Sequence, residues 1–336
     1  MASVIPSRAR DSRAALGDRS QAMSRRELLM FLGAAPVAAS LAGCLPQASE
    51  NSIGAELRVW GTQGKERGEF YKPRAMTIGP AGLLYIVDKT GRIQVFDQDG
   101  EFLRVWQTPE IANGKPCGLS FDHQGRLIVA DTHYHRVLRY TPKGELLSEL
   151  TLGGVCGEGP GEFSFITRAV EDASGHLYVG EYGASDRIQK FDAEGRFLFQ
   201  WGAHGEGLDA FNRPQALVLD KQELLWVVDA CNHRILVFDA RGDEPRLVRH
   251  WGTQGEAPGE LRYPWDLWLE GKHVYVCELG NHRIQKFTRD GALVASWGGP
   301  GSGPGQLKQP WSIVRNDRGQ MFVLDTYNHR VKRIQF

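Results

Sequence analysis

The chain has 336 residues, and its 40 Lys and Arg residues are balanced by 40 Asp and Glu residues, giving a formal net charge of zero. This balance argues against the basic composition typical of nucleic-acid-binding domains. Five cysteines are too few for a disulfide-dependent scaffold of this size. We therefore expect a globular module that does not bind nucleic acid.

Residues 1–43 are predicted to be an export signal. Arg25 and Arg26 precede an apolar stretch over residues 28–42, which is too short to span a membrane and suits a signal sequence. The stretch leads through a Leu-Ala-Gly segment to Cys44. It resembles a twin-arginine export signal with a bacterial lipobox, which implies cleavage before Cys44 and lipidation of its thiol. The alternatives are a plain signal peptide with a chance cysteine, or a core helix.

These features predict an exported, membrane-anchored lipoprotein that faces the periplasm or the cell exterior. Residues 44–55 are then a linker, and residues 56–336 form the folded domain. The sequence leaves open which membrane holds the lipid and whether Met1 or Met23 is the initiator.

A repeat runs through the folded domain and is clearest in three tripeptides, Asn232-His233-Arg234, Asn281-His282-Arg283 and Asn328-His329-Arg330. With three weaker copies, the repeat arginines are separated by 44, 51, 47, 49 and 47 residues: Arg92, Arg136, Arg187, Arg234, Arg283 and Arg330. An acidic residue lies shortly before each arginine: Asp88, Asp131, Glu181, Asp229, Glu278 and Asp325. We expect each acid to pair with its arginine and tie two strands together.

Each repeat predicts four short strands. An apolar run precedes the acid, an alternating run follows the arginine, a glycine marks a hairpin turn, and the last run usually ends in Trp-Gly. No sustained 3.6-residue apolar period follows the signal, so an all-β protein is predicted. Four-stranded units repeated radially are propeller blades, whose tryptophans should pack between blades.

The strand count predicts a closed ring of six blades. The sixth repeat ends at Phe336 after its third strand, and a matching fourth strand occurs at residues 56–60, ahead of the first repeat. Pairing this strand with the last blade would protect strand edges. The predicted fold is a six-bladed β-propeller closed by its N-terminal strand.

The Asn-His-Arg tripeptides, the acids before them and the Trp-Gly segments resemble the NHL-repeat family of six-bladed propellers. The resemblance covers about residues 56–336 and implies the fold rather than a single activity. Members of that family include RNA-binding domains, protein-interaction scaffolds and a peptide-amidating lyase.

The candidate site lies where the inner strands begin, because the first strand of each propeller blade lines the central channel. The residues that follow the loop prolines are expected at the channel mouth. Two guanidinium groups and two indoles there predict a site for a polar or anionic ligand, with the tryptophans adjacent and the arginines elsewhere on the rim. The predicted ligand-binding residues are Arg74, Arg168, Gln215, Trp265, Asp266 and Trp311. The alternative is a set of ordinary rim residues without a ligand.

No metal or cofactor is predicted. Four histidines occupy equivalent turns of different repeats, so they are expected to be structural: His135, His233, His282 and His329. The amidating lyase of the NHL-repeat family holds zinc through histidines at channel positions, and none of the corresponding positions here is histidine.

The predicted function is a binding or scaffold module for a protein or a polar small molecule, carried by a monomer and held at the membrane through lipid alone. The alternative is a propeller enzyme, a lyase or hydrolase of a polar substrate, acting at the channel mouth. The sequence contains no nucleophile-elbow or phosphate-loop motif that would favour the enzyme over the binding module. The remaining cysteines are expected to be buried free thiols, although the sequence leaves their pairing open: Cys117, Cys156, Cys231 and Cys277.

Overall fold

A computed structural model describes residues 54–336. The predicted export signal, Cys44 and residues 45–53 of the predicted linker lie outside the described residues. The strands, in chain order, are β1 Ala55–Trp60, β2 Pro73–Ile78, β3 Leu84–Asp88, β4 Arg92–Phe96, β5 Phe102–Gln107, β6 Gly118–Phe121, β7 Leu127–Asp131, β8 Arg136–Tyr140, β9 Leu152–Gly153, β10 Phe165–Glu171, β11 Leu177–Tyr182, β12 Arg187–Phe191, β13 Phe197–Trp201, β14 Pro214–Leu219, β15 Leu225–Asp229, β16 Arg234–Asp239, β17 Arg246–Trp251, β18 Pro264–Glu270, β19 His273–Glu278, β20 Arg283–Thr288, β21 Leu293–Gly298, β22 Ser312–Arg315, β23 Gln320–Asp325 and β24 Arg330–Gln335. Single-turn 3₁₀ helices lie at Pro80–Gly82, Thr132–Tyr134, Ser148–Leu150, Ala230–Asn232 and Thr326–Asn328.

The strands form six four-stranded antiparallel sheets, one for each predicted repeat. Blades one to five are β2–β5, β6–β9, β10–β13, β14–β17 and β18–β21, and the sixth is β22–β24 with β1. The inner strands β2, β6, β10, β14, β18 and β22 contact one another in that order, and β22 contacts β2. The predicted six-bladed, all-β propeller is confirmed. No helix within residues 54–336 is both long and apolar enough to cross a membrane.

The ring closes through the N-terminal strand, as predicted. Strand β1 pairs antiparallel with β24, from Ala55 opposite Gln335 to Trp60 opposite Val331. The strand begins one residue before the predicted start. The buried Lys332 ammonium on β24 also contacts the Glu56 carboxylate on β1, so a charge pair supports the closing ladder.

The hydrophobic core lies between neighbouring blades. Trp60 at the outer edge of the sixth blade packs on the hairpin turn of the first, where a Cβ added at Gly100 would lie 2.6 Å from the indole. Trp251 of the fourth blade meets Gly291 of the fifth in the same way. The expectation that these tryptophans pack between blades is confirmed, and glycine is needed because the indole occupies the space of a side chain.

All six predicted acid–arginine pairs are present, with N–O distances from 2.6 to 3.0 Å. Each carboxylate is buried. In the fifth blade the Arg283 guanidinium also donates to the carbonyls of Glu256, Ala257 and Glu260. Each turn is therefore tied to the loop that leads into its own blade, which fixes where the inner strand starts.

Three of the repeat histidines link consecutive blades. His233, His282 and His329 adopt φ of 55°, and each Nδ1 accepts the backbone N–H of the residue before the next blade's loop proline, at 2.9, 2.8 and 3.1 Å. Burial lowers the pKa of each imidazole below its ordinary value. The structural interpretation of these histidines is confirmed.

The cysteine prediction is only partly right. The four cysteines of the described part are free thiols: Cys117, Cys156, Cys231 and Cys277. Cys277 is buried as expected, but Cys156 is exposed, and the other two are half-buried. The prediction of burial is wrong for these three because their positions fall in loops and turns at the channel mouth and on the rim rather than inside strands.

Candidate functional site at the channel mouth

The six predicted site residues lie at or near the starts of inner strands. Arg74, Arg168 and Gln215 are on β2, β10 and β14, Trp265 and Asp266 are on β18, and Trp311 directly precedes β22. Because the inner strands contact one another around the ring, their first residues share one end of the channel. We call this end the channel mouth.

Arg168 and Asp266 form an ion pair between the third and fifth blades. The Arg168 Nη2 atom lies 2.9 Å from Asp266 Oδ1, and the Asp266 side chain is almost completely buried. The other carboxylate oxygen accepts the Ser312 hydroxyl at 2.6 Å and the Ile313 N–H at 3.1 Å, both from the sixth blade. Asp266 therefore joins three blades, and its charge is neutralised by Arg168.

Arg213, which sequence reasoning did not select, lies between two aromatic rings. Its guanidinium carbon is 4.3 Å from the centre of the Tyr182 ring and 4.7 Å from that of Trp265. Its Nε donates to Gln215 Oε1 at 2.9 Å. Arg213 directly precedes Pro214 and has a left-handed φ of 63°, so it enters the mouth from the loop rather than from the strand.

The contacts continue through the tryptophans to the first and second blades. The rings of Trp265 and Trp311 lie 5.1 Å apart, and the Arg74 guanidinium lies 5.6 Å from the Trp311 ring. Arg74 Nη1 also donates to the Cys117 thiol at 3.1 Å. Tyr182, Arg213, Trp265, Trp311, Arg74 and Cys117 thus form a chain of contacts that visits every blade, which we call the mouth ring.

The mouth ring also closes between the second and third blades. The Cys117 thiol lies 3.6 Å from the Lys115 carbonyl, and the Lys115 N–H donates to His133 Nδ1 at 3.3 Å. Phe165 then bridges His133 and Tyr182, with a ring separation of 5.4 Å on each side. The mouth is therefore bordered on all sides by aromatic and cationic side chains.

The mouth carries positive charge that the described part of the chain does not neutralise. Arg74 and Arg213 have no carboxylate within 4.0 Å among residues 54–336, whereas Arg168 and the six repeat arginines each do. Burial, followed by the charges of Arg74 and Lys89, lowers the pKa of Lys115. Burial raises the pKa of Tyr182 above its ordinary value, so its hydroxyl stays protonated at neutral pH.

The predicted site residues differ in how accessible their side chains are to a ligand. Gln215, Trp265 and Asp266 are buried, with exposed fractions of 5%, 7% and 1%. Arg74, Arg168 and Trp311 are half-buried, as are Arg213 and Tyr182. Within the part the structure describes, the buried indole N–H groups of Trp265 and Trp311 have no hydrogen-bond acceptor. The half-buried side chains are the ones placed to touch a bound molecule.

Arg213, unlike Tyr182, could have been found from the sequence by a wider alignment of the repeats. The residue before the loop proline is Lys72, Lys115 or Arg213 in three repeats, so a basic residue recurs two positions before the predicted channel-mouth position. Tyr182 follows the acid Glu181, and no comparable signal points from that turn toward the channel.

The side chains of the described part were compared with the ligand sets that hold metal ions in proteins. Among the residues described, no group of three or more His, Cys, Asp or Glu side chains is placed to hold a metal ion. The zinc that the resemblance to an amidating lyase would imply therefore has no matching set of ligands here, and the chemistry of this mouth is that of arginine and aromatic groups.

Comparison with known proteins agrees with the repeat and the fold. The NHL repeat model matches residues 211–238, which include most of the first three strands of the fourth blade. The chain is 30% identical over 217 residues to NHL repeat-containing protein 3 of Homo sapiens, covering 60% of each protein. It is also 31% identical over 142 residues to the peptidyl-glycine alpha-amidating monooxygenase of Mus musculus, covering 40% of this chain and 14% of that protein.

A solved structure extends the likeness to the whole fold. An auxiliary nutrient binding protein from Bacteroides ovatus superposes with a TM-score of 0.61 at 16% identity, covering 84% of this chain and 77% of that one. This likeness shows the fold alone, because the identity is low. The chain is therefore a six-bladed propeller that contains an NHL repeat and is similar to NHL-repeat proteins.

Proposed function

We propose that this propeller is a binding module that captures an organic anion at the channel mouth. The observation that carries the proposal is the state of Arg74 and Arg213. Both guanidinium groups lie against aromatic faces at one opening, and neither has a carboxylate partner among residues 54–336. An arginine held in place and lacking an internal counter-ion is suited to a carboxylate or phosphate from a ligand.

The aromatic side chains add a second element of recognition. Contact with the Tyr182 and Trp265 rings holds the Arg213 guanidinium in place, and a cation–π contact of this kind is worth about 0.5–2 kcal/mol. Trp311 is half-buried and offers a flat apolar surface beside Arg74. A ligand with an anionic group next to an aromatic or flat apolar body would use both kinds of surface.

The setting of the module is part of the proposal. The signal-like residues 1–43 and Cys44 support a lipid-anchored protein outside the cytoplasm. A nutrient-binding protein shares the fold, which is compatible with a binding role but does not identify the ligand. The curated relatives are matched over only about 60% of their length, so their activities are not transferred.

A lyase activity is the second candidate, and the similarity to an amidating monooxygenase favours it. The described residues lack the metal donor set that such chemistry would imply here. Catalysis would instead have to use Tyr182, Lys115 or His133 at the mouth. The binding function needs only groups whose placement is already observed, so it is the better supported of the two.

Calorimetric titration with biphenyl-4-carboxylate tests the binding function. We expect saturable binding to the parent protein, a loss of about ten-fold or more in affinity for the double variant Arg74→Ala with Arg213→Ala, and no change for Arg318→Ala. Arg318 is a matched control because it is an exposed arginine that follows the end of β22. It therefore lies at the end of the sixth blade opposite the channel mouth. Equal affinity for all three proteins, or no binding to any, would refute the proposal.

A further inference from the structure

The two unpaired arginines of the mouth ring come from opposite sides of the propeller. Arg74 belongs to the first blade, and Arg213 leads into the fourth blade. In a ring of six blades these are three places apart in either direction. The mouth therefore receives its two unpaired arginines from opposite sides of the ring rather than from one blade.

Trp265 and Trp311, which we call the tryptophan pair, connect the two arginines through a series of contacts. Arg213 contacts Trp265, Trp265 contacts Trp311, and Trp311 contacts Arg74. Because these contacts follow the order of the blades, two indole rings separate the guanidinium groups. One carboxylate bound at Arg213 would leave Arg74 without a counter-ion, and the reverse holds equally.

Each of the two guanidinium groups keeps donors for a ligand. In the described chain Arg74 uses only Nη1, toward the Cys117 thiol, and Arg213 uses only Nε, toward Gln215. The remaining N–H groups of both have no protein acceptor and are not fully buried. The Arg168–Asp266 ion pair does not oppose an incoming anion, because the carboxylate of Asp266 is already neutralised.

From this arrangement we infer that the ligand of the channel mouth is a dianion. Its two anionic groups are joined by a flat apolar or aromatic body, one group binds Arg74, the other binds Arg213, and the body lies against the half-buried Trp311. This inference rests on the proposed binding function and specifies the class of ligand.

Matched pairs of mono- and dicarboxylates test the inference by calorimetric titration. The probes are biphenyl-4-carboxylate with biphenyl-4,4′-dicarboxylate, and benzoate with benzene-1,4-dicarboxylate, so that two spans are covered. A second charge-assisted contact should make at least one dicarboxylate bind about ten-fold tighter than its monocarboxylate partner. Arg74→Ala and Arg213→Ala should each abolish this advantage, and Arg318→Ala should preserve it.

The outcomes separate this inference from the proposed function. Monocarboxylate binding that is lost in the Arg74→Ala, Arg213→Ala double variant, with no advantage for either dicarboxylate, would overturn the inference and leave the binding function in place. Absence of binding by all four probes would overturn both. An advantage that survives in either arginine variant would also overturn the inference. Arg74→Gln and Arg213→Gln replace the alanine variants if a melting curve shows that those do not fold.

Discussion

Arg168 and Asp266 lie 98 positions apart in the chain, yet their side chains meet at 2.9 Å across the channel mouth. The pair skips the fourth blade and joins the third blade to the fifth. Asp266 also accepts hydrogen bonds from Ser312 and Ile313 of the sixth blade. A single carboxylate thus links three inner strands at the mouth.

Replacing Asp266 with alanine should therefore destabilise the whole propeller. It would leave the Arg168 guanidinium without its buried counter-ion, a change that usually costs about 3–5 kcal/mol. Urea unfolding followed by tryptophan fluorescence measures the loss. Glu101→Ala, which removes the exposed Arg58–Glu101 pair, should cost less than about 1 kcal/mol. Equal losses for the two variants would show that Asp266 has no special role in joining blades.

Arg283→Ala tests the repeated turn. The change strands the buried Glu278 carboxylate and removes donors from the carbonyls of the loop before the fifth blade. We expect a loss of about 1–3 kcal/mol in the free energy of unfolding, measured by urea titration. Binding of biphenyl-4-carboxylate should be retained in the folded variant. Unchanged stability combined with lost binding would reassign this arginine from structure to function.

Stability should fall on mild acidification because of the blade-linking histidines. Burial holds the pKa of His233, His282 and His329 below the ordinary value of about 6.5. The unfolded chain then binds more protons than the folded one as the pH drops below 6.5, so folding loses free energy there. Protonated Nδ1 would also oppose the N–H that it now accepts.

Unfolding free energies at pH 7.5 and pH 5.5 measure this effect, with the lower value expected at pH 5.5. Burial also raises the pKa of the Asp131 and Asp229 carboxyls, and their protonation acts on stability with the opposite sign. A variant with glutamine at all three histidine positions should show a smaller difference. A parent protein equally stable at both values would contradict the account.

The predicted lipid anchor is tested by Cys44→Ser. We expect the parent protein in the membrane fraction and the variant in the soluble fraction, because the acyl chains supply the membrane affinity. Immunoblotting of separated fractions measures the distribution, and Cys156→Ser is a matched control because Cys156 is an exposed thiol of the propeller. A parent protein found wholly in the soluble fraction would exclude lipidation at Cys44.

The sequence predicts the fold well because the repeat is strong. The spacing of the arginines, the acids before them and the missing fourth strand of the last repeat indicate six blades and their closure. Each of these signals is local, in that it reflects what one turn or one strand needs. Even the role of His282 as a structural residue follows from its recurrence in equivalent turns.

The site is less predictable because its contacts join residues of different blades. Arg168 and Asp266 were both selected from the sequence as ligand-binding residues, but nothing in their local context indicates that they pair with each other. Arg213 lies two residues before Gln215, the predicted site residue of its repeat, in a loop whose direction depends on its left-handed backbone. Sequence periodicity places residues at the mouth, whereas pairing across the channel decides which of them remain available to a ligand.

A crystal structure of the protein with biphenyl-4-carboxylate tests the central claim most directly. The account predicts the ligand at the channel mouth, with its carboxylate within about 3 Å of the guanidinium of Arg74 or Arg213. The aromatic body should lie against Trp311. A ligand bound elsewhere on the propeller, with both guanidinium groups unoccupied, would contradict the assignment of the mouth ring as the binding site.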